Sequence, residues 1–92
     1  MYARVVSVQG KPGTMDESVQ IYKESIVLAM KEQPGYQGTT LLVKGEETAV
    51  SISLWAAEAD MQAGEASGYL QTQFAKVAPF FAAPPKNEHY EV

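Results

Sequence analysis

Cysteine is absent from this sequence of 92 residues, and histidine occurs once, as His89. Without cysteine the chain has no disulfide, no thiolate metal site, no iron–sulfur cluster and no cysteine nucleophile. His89 and Glu91 are two potential metal ligands on one strand face, and two ligands do not make a site. We therefore predict no metal site, and the lack of cysteine agrees with a reducing compartment.

Basic residues are few, with 7 Lys and Arg against 11 Asp and Glu and a formal net charge of -4. Nucleic acids and anionic membranes both attract clustered Lys and Arg, so we expect neither as a partner. No run approaches the roughly 18 apolar residues of a membrane span. Residues 1–13 lack the basic start and long apolar run of a signal peptide. We expect a soluble cytoplasmic protein.

The length fits one domain over residues 1–92. Hydrophobic residues make up 46% of the chain and charged residues 20%, which indicates an ordinary globular core. A domain of this size buries only about 60–65% of the surface of its unfolded chain. Pairing with a second copy would add core, which is a first reason to expect an oligomer.

Alternating apolar residues predict four strands, over residues 2–8, 39–44, 48–55 and 88–92. A first helix begins at Thr14, where Thr14 and Glu17 have the form of a capping box. Apolar residues recur at helical spacing along this helix until Pro34 ends it. These elements place a helix between the first two strands.

A second helical region lies between the last two strands. It is predicted as a short helix over residues 57–63, interrupted near Gly64, and a second piece capped by Ser67. Pro79 ends this second piece, because proline is not accommodated within a helix. The resulting order is βαββαβ, the ferredoxin-like α+β fold: a four-stranded antiparallel sheet with both helices on one face.

The strands carry more apolar residues than one helix-covered face needs: Val6, Val8, Leu41, Val43, Val50, Ile52 and Leu54. A second sheet packed on the bare face would bury the surplus. The sequence therefore predicts a homodimer.

Four segments stand in the order and spacing of a known family: MYARVVSVQGKPG, PGYQGTTLLV, SISLWAAEADMQA and the terminal HYEV. Together they cover nearly the whole chain and resemble the antibiotic biosynthesis monooxygenase family. The most specific part is the strand ending in Trp55, followed by the acidic helix start over residues 56–60. The resemblance implies a dimeric α+β barrel that binds small aromatic or quinone-like molecules between each sheet and its helices.

The best-known members of that family oxygenate such molecules with molecular oxygen and no metal or flavin. The resemblance thus implies a cofactor-independent monooxygenase acting on a small aromatic or quinol-type substrate, with no cofactor. The haem-degrading branch is similar to a pattern of Asn on the first strand and His in the second helical region. Those positions fall near Val6 and Phe74, which argues against haem. A non-catalytic binding or interaction domain and an isomerase stay as alternatives.

Cofactor-free oxygenation needs an ionised substrate, donors that stabilise the anion, and an apolar pocket. Arg4 is a candidate for the positive charge and the Trp55 indole for a hydrogen bond. Tyr22 and Tyr69 are candidates for hydroxyl groups and aromatic walls, and Ser51 and Ser53 for contact with a ligand oxygen. No residue is assigned a catalytic role.

Each candidate also has a structural interpretation, and that of the serines is a small residue tolerated under a helix. Arg4 would form a salt bridge with a Glu or lie at a solvent-facing edge. Trp55 and Tyr22 would pack in the core, and Tyr69 would be half exposed. His89 is the one acid–base candidate, which an isomerase would require, and its alternative is an ordinary surface histidine.

Overall fold

A computed structural model describes the backbone of residues 1–92 and every side chain except that of Tyr69. Its strands are β1 (Tyr2–Gln9), β2 (Tyr36–Lys44), β3 (Thr48–Trp55) and β4 (Lys86–Glu91). Its α-helices are α1 (Met15–Ile21), α2 (Val27–Lys31), α3 (Glu58–Ala66) and α4 (Tyr69–Val77). A π-helical turn, Tyr22–Ile26, joins α1 to α2, and a 3-10 turn, Ala78–Phe80, follows α4.

The strands form one four-stranded antiparallel sheet in the order β2-β3-β1-β4, which confirms the predicted ferredoxin-like α+β fold. None of the described helices has the length and apolar character needed to cross a lipid bilayer. The first and last strands are neighbours in the sheet, and the backbone N–H of Val92 donates to the Met1 carbonyl at 2.9 Å.

The register of the strands separates two faces. Arg4 of β1 lies opposite Ser53 of β3 and His89 of β4, so these three side chains share a face. Because successive strand residues point to opposite sides, the other face carries the intervening residues. Large apolar members of this open face are Val5, Leu42, Val50, Ile52, Leu54 and Tyr90. The helices cover the first face and leave this second one uncovered.

The core lies between the covered face and the helices. Ile26, Met30 and Val77 form a buried cluster, against which Tyr22 and Phe81 pack. Burying one such aliphatic side chain contributes roughly 1.5–3 kcal/mol. The helices are therefore held to the sheet by an apolar stripe of each, as their spacing predicts.

Three local predictions were wrong. The Thr14 side chain does not cap α1; its hydroxyl donates to the Lys11 carbonyl at 2.7 Å instead. α3 continues through Gly64, and the break falls at Gly68, whose φ of 83° is a left-handed conformation. Ser67 is the C-cap of α3 and Gly68 the N-cap of α4, and the Ser67 hydroxyl donates to the Gly64 carbonyl. In each case a nearby carbonyl or a positive φ decided the local geometry.

Candidate functional site

A mainly apolar cavity of about 90 Å³ lies between the sheet and the helices. Its aliphatic and aromatic walls include Val6, Val8, Met15, Val19, Ile26, Leu41, Leu70, Phe74, Val77 and Phe81. A dry protein cavity of about 150 Å³ holds a benzene molecule. One small ring would fit here after modest movement of the side chains, and a larger ligand would extend through the open side of the cavity.

The π-helical turn positions two residues over the cavity. Tyr22 begins the turn and Ile26 ends it, and both side chains line the cavity wall. Single π turns inside α-helices occur frequently at functional sites. Here the turn places the Tyr22 hydroxyl against the polar groups of β2 and β3.

A chain of hydrogen bonds starts from that hydroxyl. The Tyr22 oxygen lies 2.6 Å from Ser51 Oγ and 2.9 Å from Thr39 Oγ1, and Thr39 donates to the Ile52 carbonyl at 3.0 Å. A carbonyl only accepts, so the Thr39 hydroxyl donates its hydrogen to the Ile52 carbonyl. The Thr39 oxygen then accepts a hydrogen bond from Tyr22. Tyr22 in turn accepts from Ser51. When all three bonds form together, the chain runs from Ser51 through Tyr22 and Thr39 toward Ile52.

Trp55 is fully buried, and its exposed fraction is 0%. Its Nε1–H donates to Ser53 Oγ at 3.0 Å, and its ring meets that of Tyr36 edge to face at 5.8 Å between centroids. Burial raises the pKa of the Tyr36 phenol above its usual value, and Tyr22 adds to the effect. Ser53 lines the cavity, whereas Trp55 lies behind it and holds Ser53 in place.

Arg4 is 1% exposed, lines the cavity, and is also tied to α3. Its Nη2 donates to the Met61 carbonyl at 2.5 Å, and its Nε lies 3.7 Å from Glu65 Oε1. Its guanidinium carbon is 5.3 Å from the centroid of the Trp55 ring, a cation–π distance. Arg4 therefore forms a structural salt bridge and also lies in the cavity wall. On the sequence alone these two roles are alternatives.

His89 lies outside the cavity wall, exposed on β4. Its Nε2 is 3.0 Å from Glu65 Oε1, which also accepts from Asn87 Nδ2 at 2.9 Å. These contacts tie β4 to α3 and leave the isomerase hypothesis without its one acid–base candidate. Among the described side chains, no three His, Asp or Glu residues gather as metal ligands. The predicted contact at Tyr69 lies outside the described side chains.

The structure adds two polar cavity residues that the sequence reasoning missed, Ser18 of α1 and Gln73 of α4. Gln73 of α4 lines the cavity and is 7% exposed, and its Oε1 has no hydrogen-bond partner among the described groups. A signal was present, because Gln73 stands at position i+3 of the apolar stripe Leu70, Phe74 and Val77. A polar residue on the buried stripe of a helix is a candidate for ligand contact.

A helix-covered antiparallel sheet with an apolar cavity between its two layers defines a ferredoxin-like α+β domain built around an internal binding site. The sequence profile of the antibiotic biosynthesis monooxygenase family matches residues 1–78, and the chain belongs to that family. Among the curated proteins, none matches this sequence.

Solved structures share the fold over nearly the whole chain. SnoaB of Streptomyces nogalater, a cofactor-independent oxygenase, has a TM-score of 0.84 at 13% identity, covering 99% of this chain and 91% of that one. The ActVA-Orf6 monooxygenase of Streptomyces coelicolor, in complex with nanaomycin D, has a TM-score of 0.75 at 20% identity, covering 99% and 86%. A conserved protein of Methanosarcina mazei reaches 0.82 at 17% identity, covering 99% and 92%. These likenesses concern the fold.

Proposed function

We propose that this chain is a cofactor-independent monooxygenase that oxidises a small aromatic or quinol-type substrate with molecular oxygen. The observation that carries the proposal is the mainly apolar cavity between sheet and helices, with Arg4 and Ser53 in its wall. Family membership supports it. Two proteins of the same fold are described as a cofactor-independent oxygenase and a monooxygenase.

The reaction draws its electrons from the substrate. For a substrate such as an anthrone, loss of a proton gives an electron-rich anion that reacts with O2. The methylene carbon becomes a carbonyl: it loses two hydrogens and gains one oxygen atom, and the other oxygen atom leaves as water. The chain's part is to bind the ring in an apolar cavity, exclude water and stabilise the anion.

Ser53 is the group best placed to stabilise that anion. Its oxygen already accepts from Trp55, so its own O–H hydrogen is available to a substrate oxygen. Arg4 lies directly across from it on β1, and its positive charge, shared with Glu65, adds a smaller long-range contribution. Tyr22 would form part of the cavity wall, Trp55 would orient Ser53, and Tyr69 stays a predicted wall residue.

Oxygen uptake measured with a panel of quinols and anthrones tests the proposal. We expect uptake above background that persists with a metal chelator present. Ser53→Ala should lower kcat by at least about tenfold, since removing one donor to a developing anion costs about 10²–10³ in the strongest cases. Thr72→Ala, at an exposed position of α4 outside the cavity wall, is the control and should leave kcat unchanged. Uptake at background with every compound would contradict the proposal.

We further propose that the chain works as a homodimer whose subunits pair through the open sheet faces. Leu42 and Tyr90 on this face are 52% and 49% exposed, and Val50, Ile52 and Leu54 lie between them. A contiguous apolar surface of this kind marks an interaction site on a soluble protein. A two-fold arrangement buries the same patch on both copies.

Ile52→Asp should convert the dimer to a folded monomer, because each copy would bury an unpaired carboxylate at the interface. Sedimentation velocity at micromolar concentrations would measure the change, with circular dichroism to confirm folding. Leu28→Asp, at an exposed site on α2, is the control and should remain dimeric. A monomeric parent protein, or a dimeric Ile52→Asp variant, would refute this pairing.

A non-catalytic small-molecule-binding domain is the second candidate. It is favoured because none of the described lining residues is Asp, Glu or His, so the described wall holds no carboxylate or imidazole to take a proton from the substrate. The same cavity would then hold an aromatic ligand without turning it over. Ligand binding combined with background oxygen uptake would select this candidate.

A further inference from the structure

We propose that the cavity selects its ligand by a hydrogen-bond donor, because Gln73 and Ser51 both present acceptors to it. The ligand class is a neutral hydroxylated ring, and a carboxylate on a ring of the same size is rejected. This inference rests on the ligand-binding cavity of the proposed function and adds which chemical group of the ligand that cavity recognises.

Gln73 is the first acceptor. It enters the cavity wall from α4, where its apolar neighbours on the helix offer no hydrogen bond. Its Oε1 is buried without a partner among the described groups. A buried carbonyl oxygen without a donor destabilises the protein until a ligand or water supplies one. A ligand O–H in the cavity supplies that donor.

Ser51 is the second acceptor, and its direction follows from the chain that ends at the Ile52 carbonyl. Because its hydrogen is committed to Tyr22, the Ser51 oxygen offers lone pairs and no donor. Ser51 lines the cavity from β3, on the sheet side, and Gln73 lines it from α4, on the helix side. The helix layer and the sheet layer thus each present one acceptor, Gln73 and Ser51, beside the O–H of Ser53.

A carboxylate fits this wall poorly. It has two charged oxygens and no proton, so the free O–H of Ser53 would serve one of them while the other meets the Gln73 and Ser51 oxygens and loses its hydration. Arg4 is the one cation among the described lining residues, and its guanidinium already serves the Met61 carbonyl and Glu65. Taking Arg4 from Glu65 would leave that carboxylate without its cation. The wall therefore favours neutral donors.

Phenol, toluene and benzoate are suitable probes, since phenol and toluene differ by one hydroxyl against one methyl. Their dissociation constants are measured by NMR titration of the full chain. Toluene is the more hydrophobic, so the decisive quantity is the ratio of the two constants in each variant. Gln73→Met keeps the length of the side chain. It should weaken phenol binding about tenfold relative to toluene binding, which corresponds to the loss of one hydrogen bond. Ser51→Ala should shift the ratio in the same direction.

Gln71→Met is the matched control, because Gln71 is exposed on the same helix. It should leave the ratio unchanged, and benzoate should not bind the parent protein where phenol saturates it. Gln73→Met should also unfold at the same or a higher urea concentration than the parent, since it removes an unpartnered buried carbonyl. The inference is overturned if Gln73→Met leaves the ratio of the two dissociation constants unchanged. It is also overturned if the variant binds phenol and toluene equally more weakly and is less stable, because Gln73 would then be purely structural.

The two proposals fail separately. Absence of oxygen uptake with the phenol preference intact would reject the monooxygenase and keep the donor selection. Oxygen uptake with a ratio that Gln73→Met does not change would do the reverse. Tight binding of benzoate would overturn the donor selection whatever the enzyme assay shows.

Discussion

Trp55→Ala is expected to remove about 3–5 kcal/mol from the free energy of unfolding, the range for truncating a buried Trp. The side chain is 0% exposed, so the change leaves a large cavity. It also removes the hydrogen bond to Ser53, the edge-to-face contact with Tyr36 and the aromatic face beneath Arg4. Domains of this kind have about 5–15 kcal/mol in total, so the variant should lie close to its unfolding threshold.

Urea denaturation followed by far-UV circular dichroism measures this loss without relying on tryptophan fluorescence. Leu28→Ala is the control, because Leu28 is 55% exposed and its truncation should cost less than about 0.5 kcal/mol. Trp55→Phe keeps a ring and should fall between the two variants. Equal midpoints for Trp55→Ala and Leu28→Ala would show that the indole does not hold this end of the sheet.

Arg4→Met is expected to destabilise the fold by about 3 kcal/mol, the lower end for breaking a buried ion pair. The lower end applies because Glu65 keeps some exposure, at 23% of its side chain, while Arg4 keeps 1%. The change also removes the side-chain hydrogen bond to the Met61 carbonyl. Thermal and urea unfolding should both shift, and the effect should exceed that of removing any surface lysine.

Lys86→Met on the neighbouring strand controls for the loss of one positive charge, and it should be nearly neutral because Lys86 is exposed. Adding Glu65→Gln to Arg4→Met should restore more than half of the lost stability, since the second change removes the unpaired carboxylate. Glutamine keeps an oxygen that can accept from Asn87 and His89. If the double variant is no more stable than Arg4→Met, the ion pair is not the cause.

The sheet was largely predictable because period-two alternation is a local property. Alternation places Arg4 and Val6 on one face of β1, and Ser51 and Ser53 on one face of β3, and the observed register agrees. Helix boundaries were harder. The Thr14 hydroxyl found a carbonyl in its own turn, and Gly64 was retained inside α3. Single-residue signals of about 1 kcal/mol are overridden when packing favours another geometry.

The sequence identified individual candidate residues of the site but not the partners with which their side chains interact. Sequence placed Arg4 in a strand that demanded a partner, but nothing in the spacing indicates Glu65, which lies far along the chain on α3. Gln73 was missed because the apolar stripe was defined by its apolar members. The direction of the hydrogen bonds from Ser51 through Tyr22 also follows from a tertiary contact, across the π turn, that no local pattern encodes.

Strand β3 serves the cavity and the open face with alternate residues, Ser51 and Ser53 on one side and Val50, Ile52 and Leu54 on the other. Mutations along it therefore fall into two independent sets during evolution. A point substitution in β3 changes either the cavity wall or the open face and leaves the other surface unchanged. A one-residue insertion or deletion within β3 would exchange the two sets beyond that point, turning serines outward and aliphatic residues into the cavity. Relatives with different ligands should consequently differ in β3 by substitutions and conserve its length.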